Sequence, residues 1–518
     1  MEEGSISGAA AAEERTAHLG PALAAAATFA LHALCLGRYG IFRDELYFLV
    51  CGERLAPGYV DQPPGIALVA RLASFLFGTW LPGLRLFAWL SAAATVYLAG
   101  RLAWRLAGRA SAATLAAVAA FACLELLGTS HYLTMNAFEG LFVLATTHVL
   151  LALAEGADPR CWVAAGGLAG LAVLTKYSSA VIVLFLVLGF AVSPARRALW
   201  TPWAIAGAAF GLLAVLPNFA WQAAHGFPFL ELVRNGVRVK NTSTSPLAFA
   251  GNLLFEANPG DAPFWLGGLG WLLFARRARA ARFAGVGGLL YLLALAFGHG
   301  KPYYAAPLLP VLLGAGGAAL SPVLVSRMAQ RGYAAGLVAS ALLFCPLALP
   351  ILPLRAFLAY ERALPLRTAP LERHALGVLP QVFADQFGWH ELAAAVARVY
   401  HSLPEGEREH ALVFAHNYGV ASAVEILGPE FGLPRGLAVS GHNQFWFWGV
   451  PAGRGDPVIV VSGPDENCGS GLFRERQLGE KLPPNPFVMP YENAHVIWIC
   501  RGARQPPTAL PPLVRHFD

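Results

Sequence analysis

Gly40-Ile41-Phe42-Arg43-Asp44-Glu45-Leu46-Tyr47-Phe48-Leu49, followed by Gly58-Tyr59-Val60-Asp61-Gln62-Pro63-Pro64-Gly65, is the stretch on which the reading turns. It comes directly after the first long apolar run and gathers an acid pair, an arginine and several aromatics into one connection. A helix starting near Phe42 sets Phe42, Leu46, Leu49 and Val50 on one side and Asp44, Tyr47, Phe48 and Cys51 on the other. Glu45 lies about a hundred degrees round from Asp44, so one of the two can point at a substrate while the other faces elsewhere. The bland alternative is that these charges only solvate a loop. Against it stand their rarity, since charged residues are 13% of the chain, and the stiffness of Asp61-Gln62-Pro63-Pro64, whose prolines hold the backbone extended.

Outward from this loop the chain is apolar. Of its 518 residues 56% are hydrophobic, and a mean hydropathy of +0.53 excludes an ordinary soluble protein of this length. About eleven runs fit transmembrane helices, near 21–37, 82–100, 111–128, 136–154, 162–177, 179–193, 202–220, 263–275, 283–298, 304–320 and 334–353. The two runs flanking Ser178 can also be one broken element. Residues 66–78, carrying Arg71, read as an amphipathic helix at the interface. Residues 1–20, Ala-rich and acidic without a cleavage pattern, read as a disordered tail.

Arginines mark one side of the membrane. Arg101, Arg105 and Arg109, then Arg160, Arg196 and Arg197, Arg276, Arg277, Arg279 and Arg282, and Arg327 and Arg331 all follow even-numbered spans. The positive-inside rule makes those ends cytoplasmic and puts the first loop, 38–66, on the outer face. The same parity places His131, Lys176, the 221–262 segment, Lys301 and everything after Pro353 outside. These arginines account for the net charge of +6, and no basic stripe with interleaved aromatics calls for nucleic acid. Seven cysteines without a C-x-x-C pair give no reason to expect a structural zinc. Cys468 and Cys500 share the terminal region, where one disulfide is open to them.

From residue 354 to 518 the long apolar runs stop. A helical pattern at Trp389–His401 precedes strand candidates at Ala411–Ala415, Leu437–Val439, Pro457–Val461 and His495–Cys500, with a helix near Val420–Leu427. This alternation predicts a small external α/β domain after a membrane domain of 21–353.

The Arg43–Leu49 run, with Tyr59-Val60-Asp61-Gln62-Pro63-Pro64, resembles the first external loop of the membrane glycosyltransferases related to protein O-mannosyltransferases, a glycosyltransferase family 39-like group that includes the lipid A aminoarabinose transferases. The resemblance implies GT-C architecture, a catalytic carboxylate in this loop and a sugar donor carried on a polyprenyl phosphate. Asp44 is then the first choice for base and Glu45 the alternative, with Tyr47, Asp61 and Gln62 as substrate contacts and Arg43 as a further phosphate ligand. Lys176, in Leu174-Thr175-Lys176-Tyr177-Ser178, matches a lysine-bearing motif of the family, and Gly298-His299-Gly300-Lys301-Pro302-Tyr303-Tyr304 has a family look as well. Lys176 and Lys301 are therefore expected to converge on the donor phosphate, with Tyr303 and Tyr304 beside them. General principle allows the lysines to snorkel and the tyrosines to be interfacial belt.

Where Asn136 stands relatives commonly have an aspartate, so Glu139, one turn on, is a candidate to take over its role. A helix start at Asn136 with Glu139 in capping-box position is the structural alternative. His225, Arg234, Arg238, Lys240 and Glu256 sit in the 221–262 loop, whose Lys240–Ser245 run reads as a mobile lid. His416-Asn417 and Ser440-Gly441-His442 follow strand ends, where open α/β sheets bind ligands. The nearby tryptophans either stack on sugar or seat the domain on the membrane part.

The sequence thus predicts an integral inner-membrane (plasma-membrane) glycosyltransferase acting at the outer face on a polyprenyl-phosphate sugar donor and a lipid, glycan or protein acceptor. A divalent metal is compatible with the carboxylates without being specified by them. The rivals are a flippase of lipid-linked sugars and, because of Asn136, an inactive relative.

Overall fold

A computed structural model describes residues 2–240, 242, 244–364, 373–463, 472–505 and 514–517, with residues 2–12 described by backbone alone. The membrane part begins with α1 (Glu2–Leu34), passes through two loop helices, α2 (Arg43–Glu53) and α3 (Gly65–Phe77), and continues as α4 (Leu81–Ala107), α5 (Ala110–Ala122), α6 (Leu124–Thr129), α7 (Asn136–Ala154), α8 (Cys161–Thr175), α9 (Ser179–Val192) and α10 (Pro202–Ala224). After the loop helices α11 (Pro228–Asn235) and α12 (Pro246–Glu256) come α13 (Ala262–Phe274), α14 (Arg282–Phe297), α15 (Leu309–Leu320) and α16 (Arg327–Ala348). Among the described residues five helices, Glu13–Leu34 and Leu81–Ala107 included, are long and apolar enough to cross a bilayer unaided. Lys176 and Ser178 break the chain between α8 and α9, so the segments around Ser178 are separate helices.

Small residues let these helices approach. Gly166 and Gly170 of α8 meet Gly207 and Gly211 of α10 backbone to backbone, a G-x-x-x-G face on each helix. Gly268 and Gly316 do the same between α13 and α15. On α3, Leu68, Leu72, Phe75 and Leu76 are exposed, as an interfacial helix requires.

The N-terminal segment departs from expectation. The described residues 13–20 continue α1 instead of forming a disordered tail: Ala17 is fully buried, and the His18 ring nitrogen Nδ1 lies 2.8 Å from the Tyr97 hydroxyl. Alanine is the strongest helix former, so an Ala-rich tail that touches α4 extends the span.

The terminal domain carries α17 (Leu354–Ala363), α18 (Gln381–Ala384), α19 (Trp389–Ser402), α20 (Glu405–Arg408), α21 (Tyr418–Leu427) and α22 (Gln444–Trp448) around a five-stranded sheet. Its strands are β1 (Leu412–Ala415), β2 (Ala438–Ser440), β3 (Val458–Ser462), β4 (Phe473–Lys481) and β5 (Val496–Ala503), in the order β2-β1-β3-β5-β4. β1 pairs parallel with β2 and β3, and β5 pairs antiparallel with β3 and β4. The parallel part runs from β1 through α21 to β2 and on to β3, with α19 and α21 packed together on one face of the sheet. β4 escapes a reading of the sequence, because Phe473-Arg-Glu-Arg-Gln-Leu-Gly-Glu-Lys481 is an exposed, charged edge strand with no apolar face to read.

Loop and domain share one core. Leu46, Tyr47, Phe48 and Leu49 of α2 pack in the same buried cluster as Tyr418, Val420, Val424 and Phe445 of the terminal domain and Trp89 and Leu133 of the membrane part. Cys500 is disulfide-bonded; Cys468 lies outside the described residues.

Candidate active site

The acid pair at the start of α2 is divided by the helix turn. Glu45 points into the bundle and is fully buried. Arg85 of α4, itself buried, donates to both of its oxygens, Nε at 2.8 Å and Nη2 at 2.7 Å. The backbone N–H groups of Phe42 and Leu133 each donate to it at 2.9 Å. Four charge-assisted hydrogen bonds leave this carboxylate no free face, so Glu45, the alternative base in sequence, ties α2 to α4 and the second loop instead. Leaving either partner alone would strand a buried charge at a cost of about 3–5 kcal/mol.

Asp44, next along the chain, faces the terminal domain. The Tyr418 hydroxyl donates to its Oδ1 at 2.8 Å, and Arg43 Nε lies 3.6 Å from the same oxygen. Its side chain keeps 33% exposure, and Oδ2 has no partner among the described residues. Burial, reinforced by Asp44 and opposed by Arg43, holds the Tyr418 phenol well above its ordinary range, so it stays a donor. The first turn of α2 adds a favourable field for the carboxylate.

Arg43 is not placed as a phosphate ligand. Its backbone N–H donates to the Asp385 carbonyl at 2.9 Å, Nη1 donates to the Tyr491 hydroxyl at 2.7 Å, and Nη2 sits 3.5 Å from Asp385 Oδ2. The guanidinium also stacks over Tyr418 and Tyr491. It is the bolt between loop and domain, its charge already matched by Asp385 and Asp44.

Tyr47 and Gln62, expected from sequence to touch substrate, are instead enclosed. The Tyr47 hydroxyl donates to Asp61 Oδ1 at 2.9 Å and accepts from the Gln444 backbone N–H at 3.3 Å. Gln62 is fully buried and donates to Cys51 Sγ at 3.3 Å. The register of the Pro63-Pro64 segment turns Gln62 inward and leaves Asp61 half-buried on the other side. Desolvation pushes the Asp61 carboxyl up to about 7, against the Tyr47 hydrogen bond and with some help from Asp44.

Across the loop lies a second charged group. Lys176 Nζ is 3.2 Å from Glu139 Oε2 and stands over the rings of Tyr303 and Tyr304, 5.5 and 5.1 Å from their centroids. Lys301 Nζ reaches the same Tyr303 ring at 6.0 Å, so two lysines distant in sequence share one aromatic wall. Glu139 also accepts from the hydroxyls of Ser178 at 2.7 Å and Ser179 at 3.0 Å. It is buried and fastens the α8–α9 break, which fixes Lys176. Asn136 opens α7 without capping it, and its buried Oδ1 has no hydrogen bond among the described residues. Tyr177 joins the two groups: its hydroxyl accepts from Asn218 at 3.1 Å and Gln222 at 3.0 Å, and those amides also donate to the Pro57 and Tyr59 carbonyls of the first loop.

His442 is buried against Tyr418 and His516, with ring centroids 4.9 and 4.2 Å away, where it supports Tyr418. The aromatics of α22 seat the domain: Phe447 packs on Trp221 and His225, and Arg54 stacks on Trp448. The 221–262 segment holds α11 and α12; Asn241 and Ser243, in the run read as mobile, lie outside the described residues.

Arg85 is absent from the sequence-derived candidates, although its signal is there. A lone arginine in the apolar run Leu84-Arg85-Leu86 has to find a buried anion. Tyr418, Asp385 and Tyr491 carry no such signal, because the loop they touch is hundreds of residues away.

A helical membrane bundle, an acid-bearing first loop and an α/β domain closing over that loop make the architecture of the GT-C membrane glycosyltransferases. Residues 61–221 match the family described as dolichyl-phosphate-mannose-protein mannosyltransferase. Among solved structures the chain is similar to ArnT from Cupriavidus metallidurans bound to undecaprenyl phosphate, with TM-score 0.58 and 17% identity over 92% of this chain and 97% of that one. The apo state of the same protein gives TM-score 0.59 and 16% identity at the same coverage. A looser overlap, TM-score 0.46 and 14% identity over 78% of this chain and 63% of that one, is found with the archaeal oligosaccharyltransferase AglB from Archaeoglobus fulgidus, solved with an inhibitory peptide and a dolichol-phosphate. No curated protein matches the chain in sequence. The fold is therefore that of the GT-C membrane glycosyltransferases, shared with ArnT, and residues 61–221 carry the match to the protein mannosyltransferase family.

Proposed function

We propose that the protein transfers a sugar from a polyprenyl-phosphate donor to an acceptor hydroxyl or amine at the outer face of the membrane. The observation that carries this is the asymmetry of the acid pair: Glu45 is saturated, while Asp44 keeps one oxygen open beside a permanent donor. In the reaction Asp44 takes the acceptor proton as the nucleophile attacks the anomeric carbon, and the bond from that carbon to the phosphate oxygen breaks. Lys176 and Lys301 then meet the negative charge that collects on the departing lipid phosphate. Tyr303 and Tyr304 give the lysines an aromatic wall that helps to exclude water. The polyprenyl phosphate bound to ArnT supports a lipid-phosphate leaving group here too. Asn136 does not disable this scheme, because the base lies in the first loop.

The test is bond cleavage. Purified protein in proteoliposomes, given a polyprenyl-phosphate sugar and an acceptor mixture, should release polyprenyl phosphate and glycosylated acceptor. Movement of intact donor between leaflets without cleavage would favour the flippase. Orientation is checked separately: Gly406, open to solvent, replaced as Gly406→Cys should react with an impermeant thiol reagent in intact cells. Labelling only after lysis would reverse the topology.

A further inference from the structure

At the carboxyl ends of β1 and β3 three side chains from separate segments converge. His416 follows β1, Glu492 ends a short 3₁₀ turn, Pro490–Glu492, and His495 immediately precedes β5. One nitrogen of each histidine and one oxygen of the glutamate all lie within 4.8 Å of one another. Glu492 Oε2 is 3.3 Å from His495 Nε2 and 3.8 Å from His416 Nε2. Glu492 and His495 are almost fully buried, while His416 keeps 23% side-chain exposure, which opens the group on one side.

With both rings neutral, the surrounding hydrogen bonds set which nitrogen of each carries the proton. His495 Nδ1 lies 3.3 Å from the Ser462 carbonyl oxygen. A carbonyl only accepts, so in the neutral ring Nδ1 holds the proton and Nε2 turns a lone pair toward Glu492. Asn417 Oδ1 accepts from the Val420 N–H at 3.0 Å, which sets its amide with Nδ2 toward the cluster. Nδ2 then donates to Glu492 Oε1 at 2.7 Å and to His416 Nε2 at 2.9 Å, so that nitrogen is a lone pair as well. Two imidazole lone pairs and a carboxylate oxygen therefore face one small buried space. In that neutral state the three acceptors are balanced by a cation between them, as Glu492 Oε2 has no hydrogen bond of its own among the described residues.

We propose that His416, Glu492 and His495 form a binding site for a divalent transition-metal ion, Zn²⁺ foremost. Two imidazoles and one carboxylate suit Zn²⁺ and leave a coordination position open, whereas Mg²⁺ and Ca²⁺ prefer all-oxygen sites. The ion takes the His416 lone pair that Asn417 holds, and Asn417 keeps Glu492 oriented. The carbonyl on His495 Nδ1 is the outer contact that ligating histidines usually make. Arg43, the nearest cation on the loop side, is already matched by Asp385 and Asp44. Glu492 and His495 also line a cleft of about 540 Å³ with Trp389, Arg398 and Glu480. An ion here would stiffen the Tyr491 turn that holds Arg43, and so position Asp44 from behind.

The proposal does not depend on the transferase reading, and its readout is metal content. Tag-free, full-length protein in detergent is stripped with a chelator, then titrated with Zn²⁺ against a chromogenic competitor. We expect about one Zn²⁺ per chain, with affinity at least about tenfold weaker in His495→Ala and Glu492→Gln. X-ray absorption of the loaded protein should show imidazole scattering. If the buried variants fail to fold, the partly exposed His416→Ala gives the same comparison. Substoichiometric binding by the wild type, as an imidazolium–carboxylate pair would give, overturns the proposal. So does Zn²⁺ binding that persists unchanged in the variants, or a spectrum without imidazole.

Discussion

The two faces of α2 differ in a way that one residue of sequence separation conceals. On the bundle side Glu45 meets Arg85, Phe42 and Leu133 and is closed off from solvent. On the domain side Asp44 meets Tyr418 and Arg43 and stays one-third exposed. The first arrangement is architecture, because every lone pair is spent before any substrate arrives. The second leaves one carboxylate oxygen open in a fixed position, as the base we propose requires. The difference comes from the helical turn, which sends neighbours to different faces, and from α4, which supplies an arginine to only one of them.

The largest way to break this comparison is at Arg85. Arg85→Met leaves Glu45 buried and unpaired, with an expected loss of about 3–5 kcal/mol of stability, read as a lower melting temperature and poor recovery from the membrane. A melting temperature equal to wild type would show that Glu45 is not held as described. Next come the lysines. Lys176→Met and Lys301→Met should each slow transfer by about 10²-fold, as loss of a transition-state donor does. Lysine here acts as a point charge, so Lys→Arg should retain part of the rate. Normal turnover in both Lys→Met variants would move the phosphate site elsewhere.

The smallest effect concerns Asp61 and sharpens the picture of the loop. Its folded carboxyl titrates near 7, above the ordinary value of 3.8. Between those values the folded state binds more protons than the unfolded, so this group's contribution to stability falls as pH rises from about 4 to about 7 and is flat above. Asp61→Asn removes that slope. Melting curves of the two proteins should therefore diverge in favour of the variant across that window; parallel curves would show that Asp61 is more solvated than its burial implies.

Much of this is legible in the sequence. Most helices of the membrane part follow from apolar runs, and the parallel strands from Leu412–Ala415 and Val458–Ser462, which are buried on both faces and read as continuous hydrophobic stretches. Helical phase sends Asp44 and Glu45 to different faces, and the family resemblance favours Asp44 of the two. What stays hidden depends on contacts distant in sequence. Arg43 reads as a free cation until Asp385 and Tyr491 arrive from the terminal domain, and Gln62 reads as polar and accessible until the loop closes over Cys51. Glu139 reads as a substitute for a missing aspartate until Lys176, Ser178 and Ser179 claim its oxygens. The metal-ligand group is invisible for the same reason, since His416 and Glu492 are brought together only by the sheet.

The most direct test sets Asp44→Asn beside Glu45→Gln, measuring the initial rate of sugar transfer and the melting temperature of each in the same detergent. The account predicts that Asp44→Asn melts like wild type and loses about 10²–10⁴-fold in rate, while Glu45→Gln melts clearly lower and loses activity only in step with its folded fraction. Near-normal turnover in Asp44→Asn, or a normally folded Glu45→Gln with no turnover, would contradict it.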